Sequence, residues 1–217
     1  MEGKDAGLLP VKKLRAAKSR LGAAFSDGER EEIARALLYD ALELCASADF
    51  LQWSVMSADD EVLAAARERG LGVMGEGAGG LNPAITAAVA RLAAMGASSL
   101  TIVPADIPLA QRSDIVDILD TGATSDVVVV PSHRDGGTNA LHMRPPGIIE
   151  PRFGAGSLAA HVRLAESHGI RCSLLPLPRV QLDIDTVEDV DSFLDEPRPV
   201  ASQTADVLKR LRGRAGG

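Results

Sequence analysis

Short apolar runs rich in β-branched residues recur along the chain, and between most of them the apolar spacing changes to that of a helix. Strand-like runs lie at Leu8–Val11, Leu51–Ser57, Leu71–Met74, Ser99–Val103, Asp126–Pro131, Ala140–Met143 and Cys172–Pro176. The first long helix is announced by Ser26-Asp-Gly-Glu29, a capping box. It places Ile33, Leu37, Leu38, Ala41, Leu42 and Cys45 on one face. A second helix follows Asp59 and ends near Gly70. A third starts at Asn82-Pro83, with proline at its first position, and runs to Met95. Shorter helices are predicted over Ser113–Leu119, Ser157–Ser167 and Val187–Leu194. Strands alternating with helices of this length predict an α/β, Rossmann-like fold with a mainly parallel sheet and helices on both faces. Ala140–Met143 follows the preceding strand too closely for a helical crossover, so part of the sheet is expected to be antiparallel.

At 217 residues the chain is long enough for one sizeable domain, placed here at residues 1–196. Residues 197–217 are read as a C-terminal tail containing a basic amphipathic segment, Asp206–Arg214. No stretch approaches the roughly 20 apolar residues of a membrane span, and Met-Glu-Gly-Lys-Asp lacks the pattern of a signal sequence. A cytoplasmic location is therefore expected, with no membrane partner. A formal charge of −7, with one Trp, one Tyr and four Phe, argues against a nucleic-acid surface, which needs a basic face and stacking rings. Cys45 and Cys172 lie within apolar patterns and lack close spacing, so they read as reduced core residues.

The candidate chemistry sits where strands end. Pro-Ala-Asp106-Ile-Pro closes an apolar run, and in open α/β sheets the ligand crevice lies outside such ends. In Asp183-Ile-Asp185-Thr, alternation turns both carboxylates to one side of an extended backbone. Three carboxylates on two strand ends point to a divalent-metal, phosphoryl-transfer site. The plainer alternatives are a turn former at Asp106 and a helix start at Asp185-Thr-Val-Glu188. Lys12, Lys13, Arg15, Lys18 and Arg20 place five cations just beyond the first strand. A triphosphate, with about four negative charges, needs such compensation. Lys12, Lys18 and Arg20 are the candidates, whereas Lys13 and Arg15 read as solvated. Gly75–Pro83 is a glycine-rich loop feeding a helix, equally a turn or a ligand loop. Arg152-Phe-Gly154-Ala-Gly156-Ser157 is a glycine-rich turn at a helix start, where free backbone N–H groups would suit a phosphate or carboxylate. His161, one turn further on, reads more simply as a packing residue.

Taken in order, these segments resemble the 2-phospho-L-lactate/phosphoenolpyruvate guanylyltransferases of coenzyme F-420 biosynthesis. The resemblance covers about residues 8–194. It is carried by Pro-Val-Lys12, Lys18-Ser-Arg20-Leu, Gly80-Leu-Asn82, Pro-Ala-Asp106-Ile-Pro, Gly137-Thr138-Asn139-Ala-Leu, the Arg152–Ser157 turn with His161, and Asp183-Ile-Asp185-Thr. It implies a nucleotidyltransferase fold of the nucleotide-diphospho-sugar transferase type, with GTP, Mg2+ and a small phospho-acid as reaction partners. It also implies handover of the product to the next pathway enzyme. By this resemblance Asp106, Asp183 and Asp185 bind the metal, and Lys12 and Lys18 approach the phosphates. Thr138, Gly154 and Ser157, with Gly156 beside them, hold the phospho-acid, and Gly80, Leu81 and Asn82 lie near guanosine. Two rivals remain: a metal-dependent glycosyltransferase, weakened by the scarcity of aromatics, and a GTP-binding protein without turnover.

Overall fold

A computed structural model describes residues 4–77, 79–196 and 202–215. Seven strands form one sheet: β1 (Lys4–Pro10), β2 (Gln52–Ser57), β3 (Gly72–Gly75), β4 (Ala97–Ile102), β5 (Val127–Pro131), β6 (Thr138–Met143) and β7 (Cys172–Leu174). Their order is β3-β2-β1-β4-β6-β5-β7. Every neighbouring pair is parallel except the two that involve β6, which runs antiparallel to β4 and β5. The close spacing of Ala140–Met143 to the preceding strand thus has the consequence expected of it. The chain builds outward from β1 in one direction and from β4 in the other, so the crevice between the C-terminal ends of β1 and β4 is a topological switch point.

Side-chain alternation divides β1 between two cores. Leu9 faces the core shared with α1 (Asp27–Ser47), α2 (Asp60–Glu68) and α4 (Arg112–Gly122). Ala6 and Leu8 face the core shared with α3 (Leu81–Ala94), with Leu158 and Leu164 of α5 (Ser157–Ser167) packed against it. Helices therefore cover both faces. β1 begins earlier than its apolar pattern, because Asp5 is fixed by Ser98 and Ser99 hydroxyls at 2.9 and 2.6 Å and by Arg144 at 3.3 Å. A short helix not expected from the sequence, α6 (Pro178–Gln181), precedes the second acidic segment.

The apolar residues of α1 divide as well. Leu38, Leu42 and Cys45 pack on the sheet, whereas Ile33 and Leu37 join a third core with α7 (Val187–Leu194) and α8 (Gln203–Ala215). α8 lies in the segment read as a tail; its Leu208 is fully buried, and Asp40 of α1 accepts from the amides of Gln203 and Thr204 at 2.9 Å each. Residues 197–201, 216 and 217 of that tail lie outside the described residues.

Gly7 is fixed by contact. A Cβ there would stand 2.3 Å from Trp53 Cε3, inside the indole ring of the adjacent strand. Gly7→Ala is expected to destabilise the protein by about 1–3 kcal/mol, as overpacked cores do. Urea denaturation measures this. A Trp53→Leu change in the same chain should recover part of the loss, and an unaltered midpoint for Gly7→Ala alone would refute the contact.

Candidate active site

The two acidic segments are joined at the backbone: the amide of Ile184 donates to the carbonyl of Asp106 at 3.0 Å. Ile184 turns fully inward, into the core with α7 and α8, and alternation leaves Asp183 and Asp185 on its other side. One carboxylate oxygen from each of Asp106, Asp183 and Asp185 lies within 4.8 Å of the other two. The helix-start reading of this turn also holds, though not at Glu188. Thr186 caps α7, and Asp189 Oδ2 accepts from the amides of Asp185 at 3.1 Å and Thr186 at 2.7 Å. The cap uses the backbone of Asp185 and leaves its carboxylate for the cluster.

Each carboxylate has its own surroundings. Asp183 Oδ1 accepts from Ser132 Oγ at 3.1 Å and Asn139 Nδ2 at 2.9 Å. Burial, together with the charges of Asp106 and Asp185, holds its carboxyl above the usual value. For Asp185 burial acts in the same direction but is outweighed by Lys18, Arg20 and Lys12, so its carboxyl lies below the usual value. The Lys18 ammonium stands between two of the acids, 3.0 Å from Asp106 Oδ2 and 3.0 Å from Asp185 Oδ1. Burial alone would weaken its hold on the proton; the two carboxylates prevail and raise its affinity for it. Arg20 approaches Asp185 from the exposed side at 3.6 Å.

Lys18 reaches this position through an unusual backbone. It has φ +57, in the left-handed region rarely used by a residue with a side chain, between two 3-10 turns at Leu14–Ala16 and Ser19–Ala23. Lys13 and Arg15 remain exposed, as read from the sequence. With all three acids ionised, the Lys18 ammonium and the exposed Arg20 guanidinium leave one negative charge uncompensated. Clustered carboxylate oxygens are hard ligands, and this set fits a divalent cation.

The cleft over this cluster has a volume of about 270 Å³. Lys12, Lys18, Leu81, Thr138 and Gly154 line it beside the three acids. Arg20, Gly80, Asn82, Gly156 and Ser157 do not line it and stand behind or beside these residues. The side-chain amide of Asn82 is engaged at both atoms with the backbone of Phe153, donating to its carbonyl at 3.1 Å and accepting from its N–H at 2.8 Å. Asn82 thus joins the Gly80–Asn82 turn to the Arg152–Ser157 turn.

The start of α5 differs from its sequence reading. Three of the amides expected to be free are occupied: Gly156 N donates to Asp135 O at 3.3 Å, Ser157 N to Gly154 O at 3.1 Å and Leu158 N to Gly136 O at 3.0 Å. The Asp135–Gly136 loop, distant in sequence, packs onto the helix end and takes up two of these donors. The hydroxyl of Ser157 is buried there without a partner. Ser132 and Asn139, which hold Asp183, were not singled out from the sequence. Asn139 lies within a recognised motif, but nothing local shows that its amide turns toward an acid 44 positions away.

Comparison with known proteins shows the family and the fold. The family model described as "Guanylyl transferase CofC like" matches residues 6–212. A phosphoenolpyruvate guanylyltransferase of Rubrobacter xylanophilus is 34% identical over 184 residues, covering 84% of this chain and 90% of that one. A 2-phospho-L-lactate guanylyltransferase of Methanothermobacter thermautotrophicus is also 34% identical, covering 96% and 92%. Among solved structures, a protein described as a nucleotide-diphospho-sugar transferase from Desulfovibrio desulfuricans G20 superposes with a TM-score of 0.83. It is 17% identical, with 97% of this chain and 96% of that one covered, and shows the fold alone.

Proposed function

The chain belongs to the CofC-like guanylyl transferase family, and on that premise we propose that it transfers GMP from GTP to a small phospho-acid, phosphoenolpyruvate foremost, in coenzyme F-420 biosynthesis. The observation that carries this reading is the three-carboxylate cluster, with Lys12 and Lys18 beside it, in a cleft at the switch point of the sheet. A phosphate oxygen of the phospho-acid forms a bond to the α-phosphorus of GTP. The bond from that phosphorus to the oxygen bridging to the β-phosphate breaks, and pyrophosphate leaves. A phosphomonoester has its second pKa near 6 and is already largely dianionic at neutral pH, so the reaction needs neither a protein nucleophile nor a base.

What the protein must supply is charge compensation and alignment. Asp106, Asp183 and Asp185 would hold Mg2+, whose charge offsets that of the triphosphate when bound. Lys12 lines the cleft and has no ion pair among the described residues, which leaves it available to the phosphates. Lys18 and Arg20 balance the acids from either side. Leu81, with Gly80 and Asn82 behind it, borders the guanosine. Thr138 and Gly154, backed by Gly156 and Ser157, receive the phospho-acid. No helix among the described residues is long and apolar enough to cross a membrane; we place the enzyme in the cytoplasm, passing its product to the next enzyme of the pathway.

The test is pyrophosphate release over a matrix of nucleoside triphosphates and phospho-acids: phosphoenolpyruvate, 2-phospho-L-lactate and 3-phosphoglycerate. GTP with one phospho-acid should exceed every other pairing, and release that needs no phospho-acid would refute the reading. The matrix also chooses the acceptor, since two relatives named for different acceptors are both 34% identical to this chain. Within the cationic segment, Lys18→Met should lower turnover by about tenfold or more, because it leaves Asp106 without its counter-ion and Asp185 with the exposed Arg20 alone. Lys13→Met, at an exposed position, should stay within about twofold of the parent. Equal effects of the two changes on turnover would remove Lys18 from the site.

A further inference from the structure

His161 is fully buried in α5, and both of its ring nitrogens are engaged. The backbone N–H of Arg152 reaches Nε2 at 2.9 Å. An amide N–H can only donate, so Nε2 presents a lone pair and carries no proton. Burial, with Arg152 nearby, pushes the imidazole down to about 4, so the ring is neutral at physiological pH. A neutral imidazole keeps one proton, which must then sit on Nδ1, 3.0 Å from Thr138 Oγ1. Thr138 is therefore the acceptor in that bond, and its own hydroxyl proton must point elsewhere. Phe153 stands edge-on to the imidazole, with ring centroids 6.0 Å apart and planes at 72°, and a flip of the ring would cost Arg152 its acceptor.

Thr138 opens β6 on the wall of the cleft, one residue before Asn139 and its bond to Asp183. We propose that His161 is a positioning residue that fixes the Thr138 hydroxyl as a donor toward the cleft, where it demands an acceptor atom: a phosphate or carboxylate oxygen of the phospho-acid. This rests on the reading of Thr138 as part of the phospho-acid site. It gives the buried histidine a task in substrate choice, since a ligand presenting a hydroxyl proton or an amine at that point would meet a second donor.

Two measurements test it. Long-range 1H–15N spectra of the full chain report the tautomer without turnover: protonated Nδ1 and bare Nε2 are expected, and a proton on Nε2 overturns the proposal. In kinetics, His161→Leu should raise KM for phosphoenolpyruvate about tenfold, as loss of a hydrogen bond to a charged ligand does, while KM for GTP changes less than about twofold. His161→Asn, whose amide N–H can stand in for Nδ1–H, should recover most of this. In a Thr138→Val background, His161→Leu should add less than about twofold, because the histidine acts through the hydroxyl already removed. Additive effects, or equal rises in both KM values, overturn it. Should His161→Leu not fold, the same comparison between His161→Asn and the parent, with and without Thr138→Val, decides. If the parent releases no pyrophosphate with any phospho-acid, the proposed function fails, and the spectra still judge the tautomer.

Discussion

Asp106→Asn should cut pyrophosphate release at saturating magnesium by at least about two orders of magnitude, since metal stabilisation of transition-state charge is worth several kcal/mol. The fold should survive. The bond from Ile184 N to Asp106 O, 3.0 Å long, is a backbone contact that the substitution leaves in place. An asparagine carbonyl at the position of Oδ2 can still accept from Lys18, now 3.0 Å away. What disappears is one of the three anionic oxygens able to converge on a cation. The checks are turnover over a magnesium titration and a melting curve of the metal-free variant. Activity near that of the parent, in a variant that melts normally, would take Asp106 out of the site.

The parts of this site that could be read from the sequence depend on short-range periodicity. Asp183 and Asp185 share a side because Ile184 between them is buried, an alternation visible in three consecutive residues. Asp106 could be placed because the apolar run before it is a central strand whose end lies at the switch point. The fold was legible for the same reason, strand and helix periods being local. What could not be read depends on contacts between distant segments. The charged start of β1 gives no apolar signal, and Asp5 is held by serines some ninety positions away. The cationic segment showed charge but not direction, and only the left-handed backbone at Lys18 turns one of its five cations inward. The amides at the start of α5 looked free because their partners, Asp135 and Gly136, belong to another loop. His161 read as packing for a similar reason: its two partners, Thr138 and Arg152, meet it only in the folded chain.

Asp183→Asn should have opposite effects on stability and activity. Asp183 is held above the usual carboxyl value by burial and by the charges of Asp106 and Asp185. The folded protein therefore binds this proton more tightly than the unfolded chain does. By linkage, the ionised carboxylate costs stability at any pH above its folded value, and the cost disappears as pH falls below the unfolded value of 3.8. Asparagine removes the charge while its carbonyl can keep the bonds from Ser132 and Asn139, now 3.1 and 2.9 Å long. The Lys18 pairs with Asp106 and Asp185 are untouched. Without metal at pH 7 the variant should melt above the parent, and the gap should narrow toward pH 4 as the parent takes up its proton. Magnesium should reverse the order. At about 100 times its Kd, an ion bound only by the folded state adds about 2.7 kcal/mol, several degrees for a chain of this size. The variant should lose most of that shift, together with at least about 100-fold in turnover. Melting curves at pH 7 and pH 4, with and without magnesium, decide the point. A metal-free variant less stable than the parent at pH 7 would make Asp183 a structural acid, whose charge the fold needs for itself.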